Sequence, residues 1–399
     1  MQACDGDRTG YNAGMRASFQ KRYALLIGLL LLSAFLAACS ATPPTPLFIP
    51  DTPTLQTLTP TSSPSSATAS PLPPQPSFTP EPVFDLRSLQ NQDYTLPDFR
   101  AMLTETGGVI LLRDGVFDHP IPDSAATLHA QLIDGALGDL DADGDPDAAA
   151  VLAVESGGSG MFYYLVALES QGGALRQAAI TFLGDRIKLN SILIQEGGIR
   201  LQELVHAATD PQCCPSQEKA ADYRLVAGQL SPPEYAGAVL QAQAAIQALK
   251  DQDMPALAAL AHPAQGVRFS PYSYVRPEDL VFTPESIATL MEDPTVYTWG
   301  AFDGSGLPIE MAFPEYDQRF VYSSDFANPD SVSINQRIGS SNTIDNSQEF
   351  YPGAVVVEYY RAPQDPQYGG MDWQSLRLVF QPEGDRWYLV GVIHDEWTI

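Results

Sequence analysis

Basic residues are scarce in this chain: 21 Lys and Arg stand against 48 Asp and Glu over 399 residues, a formal charge of -27 at pH 7. So anionic a body repels phosphate backbones, which excludes nucleic acid as a partner. Cysteine is nearly absent, with 4 in the chain, and no second Cys-rich element is there to support zinc. Gly-x-Ser-x-Gly, a Walker loop, His-Glu-x-x-His and a dinucleotide fingerprint are all missing, so no familiar catalytic motif announces a reaction. What the chain does have is 44% hydrophobic and only 17% charged residues. That is enough apolar material for two ordinary domains with real cores, and it rules out wholesale disorder.

A single long apolar run, residues 23–37, follows Lys21 and Arg22 and leads into Leu36-Ala37-Ala38-Cys39. It is short for a spanning helix and closes on small residues at a cysteine, the arrangement of a secretory segment cut just before its Cys. The motif resembles the lipobox of bacterial lipoproteins. The resemblance implies that residues 1–38 are a signal peptide and that Cys39 becomes the lipidated first residue, carrying a diacylglyceryl group and a fatty acyl chain of the palmitate type. The protein is then extracytoplasmic, lipid-anchored to the bacterial cell membrane. The alternative, an uncleaved N-terminal anchor helix, also leaves the remainder outside the membrane. Removal of 1–38 takes the net charge to about -29, so anionic lipid does not hold the body flat. The acyl chains supply the attachment.

Residues 39–83 are rich in Pro, Thr and Ser, with Thr-Pro-Pro-Thr-Pro at 42–46 and Pro-Leu-Pro-Pro-Gln-Pro at 71–76. They read as a disordered tether. Extended proline-rich chain advances roughly 3 Å per residue, so the tether can reach up to ~100 Å.

Two folded regions are expected beyond it. Over 84–230, short apolar runs at 109–112, 116–118, 148–154, 162–169, 175–183, 187–195, 199–206 and 223–227 alternate with Gly-rich turns, which predicts a mostly β domain. Arg113-Asp114-Gly115 between the first two runs is a hairpin signal. Over 234–399, helical spacing at 235–249 and a second short helix at 255–261 precede strands at 309–313, 320–322, 354–361, 376–381 and 387–393. The last two are joined by Pro382-Glu383-Gly384-Asp385, a second hairpin. Helices followed by a curled antiparallel sheet resemble the NTF2-like α+β cone. Gly-Asp-Leu-Asp-Ala-Asp-Gly-Asp-Pro-Asp-Ala-Ala at 138–149, Asp-Pro-Gln-Cys-Cys-Pro at 210–215 and the final Ile-His-Asp-Glu-Trp-Thr-Ile resemble segments of uncharacterised bacterial envelope lipoproteins. That resemblance brings no reaction with it.

The sharpest chemical signal is the run Asp139, Asp141, Asp143, Gly144, Asp145 and Asp147. Alternate carboxylates around a glycine turn can face one hard cation, and calcium is the natural occupant. Asp139, Asp141, Asp143 and Asp147 would each supply a carboxylate oxygen, and Asp145 its carbonyl. An EF-hand needs Glu where Ala150 stands, so the loop resembles the calcium loops of FG-GAP-type β-structures instead. The plainer reading is a solvated acidic turn.

Cys213 and Cys214 have only each other once Cys39 is lipidated. Three readings stand: a vicinal disulfide, two buried thiols, or a soft-metal site with His206 or Asp210. For activity, Glu358 and His394 beside Asp395 mark a ligand pocket in the C-terminal region, with Tyr316, Tyr359 and Tyr360 nearby. The expected role is a binding or scaffolding module for a small molecule, glycan or peptide. The alternative is a hydrolase-like envelope enzyme using Glu358 or His394 as acid or base. Trp373, Trp387 and Trp397 are expected to fill the core or its rim.

Overall fold

The computed structural model describes residues 84–398 apart from 123. The expected signal peptide, Cys39 and the expected tether lie outside the described residues. Those described belong to one compact unit, 77–399, built mainly of strands. Among them no helix is long and apolar enough to cross a membrane.

The first strands, β1 (Asp93–Thr95) and β2 (Val109–Leu111), pair with each other. An antiparallel five-stranded sheet then runs in sequence order through β3 (Val116–Pro120), β4 (Thr127–Gly138), β5 (Asp147–Glu155), β6 (Phe162–Gln171) and β7 (Ala174–Asp185). A four-stranded meander follows: β8 (Lys188–Gln195), β9 (Gly198–Val205), β10 (Gln217–Val226) and β11 (Gln229–Ser231). Strand β5 is covered on both faces, which explains why it is built from Ala, Val and Leu without polar alternation. Ala148, Ala150 and Leu152 pack on Tyr94, Phe99 and Ile110, while Ala149 and Val151 pack with Ile199 and Leu201 of the meander.

The hairpin expected at 113–115 is only half realised. Asp114 (φ 52°) and Gly115 (φ 85°) take the left-handed backbone that such a turn needs, and the peptides of Arg113 and Val116 bond each other. The flanking strands then part, β2 joining β1 and β3 joining β4.

The C-terminal elements begin with α1 (Ala236–Asp251) and α2 (Met254–Leu260). Ala238, Ala242, Ala245, Ile246 and Leu249 line the buried face of α1, the three-and-four spacing that identifies a helix. Gln252, at φ 54°, closes α1 through its N–H to Ala248 and Leu249, and Asp253 caps α2 by accepting the Ala256 N–H. The strands β12 (Val267–Ser270), β13 (Val281–Phe282), β16 (Ser331–Ile334), β17 (Val355–Arg361), β18 (Gln374–Glu383) and β19 (Arg386–Glu396) form one sheet in the order β13-β12-β19-β18-β17-β16. Only β12 and β19 are parallel. A separate hairpin, β14 (Tyr297–Ala301) with β15 (Pro308–Met311), stands beside it.

One face of the six-stranded sheet packs Val357, Leu376, Leu378, Phe380 and Val392 against α1, α2 and a group of aromatic rings that includes Trp299, Phe313, Tyr316 and Phe320. The other face packs Val356, Val379 and Ile393 against Val275 and Tyr351. Residues 320–322, expected as strand, instead end a π-helical turn at Asp317–Val321. The expected strand 309–313 divides between β15 and a helical turn from Phe313. Pro314 starts that turn with its φ already helical, and a short apolar run reads equally as strand or buried helix until packing decides.

Candidate functional site

The aspartate loop joins β4 to β5. Ala142 (φ 66°) and Gly144 (φ 93°) turn it, and Asp139 holds the turn by accepting the N–H groups of Ala142 at 2.7 Å and Gly144 at 3.2 Å. Asp147, the first residue of β5, is buried. Its two oxygens accept the N–H groups of Leu140 and Ser170, both at 2.8 Å, tying the loop to the end of β6. Burial pushes its carboxyl above the ordinary range, with repulsion from Asp141 and Asp143 adding to the rise and the two backbone N–H groups opposing it. Asp139, Asp141 and Asp147 bring carboxylate oxygens within 4.8 Å of one another, close enough to hold one metal ion. The carboxylates of Asp143 and Asp145 stand outside this group, an Asp143 oxygen capping the Asp145 N–H at 2.8 Å; the donor expected of Asp145 is its carbonyl.

Cys213 and Cys214 are joined by a disulfide between sequence neighbours. Asp210 is occupied by the N–H groups of Ala207 and Ser216 and by the Ser216 hydroxyl. Neither it nor His206 forms a metal-holding group with the two sulfurs among the described residues.

Glu358 and His394 are both fully buried and lie on opposite faces of the six-stranded sheet. Glu358 stands opposite Arg377 on β18, which stands opposite Ile393 on β19. His394 stands opposite Leu376, on the face that meets the helices. Glu358 accepts the N–H groups of Ile338 (2.9 Å) and Gly339 (3.2 Å) and the Ser375 hydroxyl (2.6 Å). Gly339 is required there, since a side chain would collide with the Trp373 ring. On the same face Arg377 binds Asp345 at 2.7 Å, and Arg337 grips Asp395 through two bonds of 2.7 and 2.8 Å. These groups fasten the segment around 337–347 to the sheet. Burial pushes Glu358 above the carboxylate range in spite of Arg377 and its three donors. Asp345 is driven the other way, because Arg377 outweighs its burial and holds it at about 2.

His394 packs edge-on to Phe320, and its Nε2 lies 3.3 Å from a Glu396 oxygen, off the line of a hydrogen bond. Glu396 is gripped by Arg319 at 2.6 and 3.1 Å. Despite burial, His394 and Arg319 hold its carboxyl at about 2. The alternation of a strand, which sends neighbours to opposite faces, thus separates His394 from Asp395 as well as from Glu358. Tyr316 is stacked on Trp299 inside the core, where Trp373 is also buried.

A cleft of about 280 Å³ runs between the sheet-edge strands β7 and β16, with Gln177, Tyr164 and Asp98 on its wall. A second cavity, of about 320 Å³, lies between the chain leaving β12 and the turn of the β14–β15 hairpin. Tyr272, Tyr274, Phe302, Arg276, Asp279 and Asp303 are among its lining, whereas Glu358 and His394 line neither cavity. The cavity beside Asp279 left no mark in the sequence because its lining comes from three separate segments, around 271–279, 300–306 and 343, that share no periodic pattern. No protein family, curated protein or solved structure matches the chain.

Proposed function

We propose that this protein is a lipid-anchored, extracytoplasmic binding module whose β region carries a structural calcium ion in the aspartate loop. The convergence of Asp139, Asp141 and Asp147 within 4.8 Å supports the calcium reading, since three carboxylate oxygens so close repel one another until a cation sits among them. Binding is favoured over hydrolysis because Glu358 and His394 are spent on the interior, facing apart, and neither lines the cleft at β7 and β16 or the cavity beside β12. The helices against one face of the six-stranded sheet are in keeping with an NTF2-like cone. Attachment rests on Cys39 and display on the tether, as read from the sequence.

Calcium is expected to raise the melting temperature on the order of 5 °C at a hundredfold excess over its Kd, because only the folded loop gathers the ligands. Asp141→Ala, at an exposed position, should abolish that response while folding normally without calcium. Identical melting of the wild type in calcium and in chelator would defeat the proposal. Cys39→Ala, expressed in a bacterial host, should move the protein from the membrane to the soluble fraction and leave no acyl mass on its N-terminal peptide. Full membrane retention of that variant would favour the uncleaved anchor.

A further inference from the structure

The cavity beside β12 holds one buried carboxylate whose hydrogen bonding is incomplete. Asp279 is 7% exposed, and one of its oxygens accepts the Ser270 hydroxyl at 2.6 Å and the Arg276 N–H at 2.9 Å. Its other oxygen has no hydrogen-bond partner among the described residues, and the residue lines the cavity. Arg268 fixes the loop that presents it, donating to the carbonyls of Arg276 at 3.2 Å, Pro277 at 2.8 Å and Asp279 itself at 2.5 Å. No salt bridge reaches Asp279 among the described residues. The hydroxyl of Tyr316, fully buried and within electrostatic reach of Asp279 and Tyr272, is likewise without a partner.

The walls narrow the chemistry of what completes this site. Three aromatic rings, Tyr272, Tyr274 and Phe302, and a second carboxylate, Asp303, share the cavity with a single cation, the exposed Arg276. Ring faces cannot ligate a hard metal ion, but they attract a diffuse cation through their quadrupole. Two carboxylates repel an anion. The field of a chain with charge -27 concentrates cations at its surface. Tyr274 at 47%, Leu307 at 63% and Ile344 at 71% exposure leave apolar surface in or next to the lining segments, suited to the carbon part of an organic molecule.

We propose that this cavity binds an organic ammonium group, with Asp279 pairing to its charge and Tyr272, Tyr274 and Phe302 enclosing it. Burial pushes the Asp279 carboxyl above its ordinary range, outweighing the Arg276 N–H, the Ser270 hydroxyl and the nearby charges of Arg268 and Arg276, and a cation at the free oxygen gives the carboxylate the direct partner it lacks. The site is distinct from the aspartate loop and does not depend on calcium there.

The test is calorimetric titration of the full chain with choline chloride, against sodium chloride at equal ionic strength and against sorbitol, with calcium held constant. Saturable heat is expected with choline alone. Asp279→Asn should weaken it about tenfold or more, the range of a desolvated cation–ring and carboxylate site, with the melting temperature recording whether the variant folds. Tyr274→Ala changes an exposed side chain and should weaken binding about threefold or more without touching the fold. Choline heats equal to those of sodium chloride, saturation by sorbitol in place of choline, or wild-type affinity in both variants would each overturn the proposal.

Discussion

Replacing Arg377 with Leu is expected to destabilise the protein by about 3–5 kcal/mol, the range for removing one partner of a buried ion pair. The guanidinium is enclosed, its side chain 3% exposed, and it faces two carboxylates: Asp345 at 2.7 Å and Glu358 at 3.9 Å. Without it, Asp345 loses the partner that holds it at about 2, and Glu358 keeps its three hydrogen bonds but no counter-charge. Leucine fills much of the volume, so the loss reports electrostatics more than a void. Urea unfolding followed by circular dichroism measures it. Arg200→Leu serves as the contrast, because Arg200 and Asp222 form an exposed pair whose attraction the solvent screens. A loss at Arg377 no larger than the loss at Arg200 would mean that the buried network contributes nothing to holding the 337–347 segment.

The opposite sign is expected at Asp317. This residue begins the π-helical turn and is 4% exposed. Burial pushes its carboxyl from 3.8 up to about 6, opposed only by the side chain of Gln252. At 1.36 kcal/mol per unit, that rise is worth up to ~3 kcal/mol against the folded state at neutral pH. Asp317→Asn keeps the shape while removing the charge, so it should stabilise the protein by about 1–3 kcal/mol at pH 7.

The pH dependence follows from the same direction of shift. Between about 6 and 3.8 the folded state holds the Asp317 proton more tightly than the unfolded chain does, so acidification through that window adds stability. Glu396 and Asp345 behave in reverse. Their carboxyls are held at about 2 in the fold, so their contribution is full above the unfolded values and is lost as pH falls toward 2. The difference in unfolding free energy between wild type and Asp317→Asn isolates the first effect. It should shrink steadily from pH 7 to pH 4, and a difference that stayed constant across that range would disprove the assignment.

Where local pattern governs, the sequence was a good guide. The helices read at 235–249 and 255–261 are α1 at Ala236–Asp251 and α2 at Met254–Leu260. The closing hairpin read from 376–381 and 387–393 is β18 with β19, turning at Gly384 with φ 61°. Strand β4 was not legible: its 12 residues include Asp134 and Gly135, and its pairing to β5 shifts register between Leu132 and Asp134. A bulge breaks the two-residue period on which recognition of a strand depends. The short edge strand β16 and the parallel strand β12 were equally silent, because four residues held mainly by distant partners carry little pattern of their own.

What the sequence by itself determined about this protein is what depends on neighbours along the chain. The charge of -27 and the lack of catalytic motifs narrow the partners, and the order of aspartates around Gly144 marks where carboxylates gather. Even there, folding chose three of the four expected carboxylates, because Asp143 turned to cap the Asp145 N–H while Asp147 was carried inward by β5. The fate of Glu358 and His394 was decided wholly by tertiary structure. Residue type makes either a candidate acid or base, but strand register puts them on opposite faces and burial commits one to Arg377 and backbone donors, the other to the aromatic core. The cavity at Asp279 arises the same way: its carboxylate and its rings come from segments some thirty residues apart, and only packing brings them to one space.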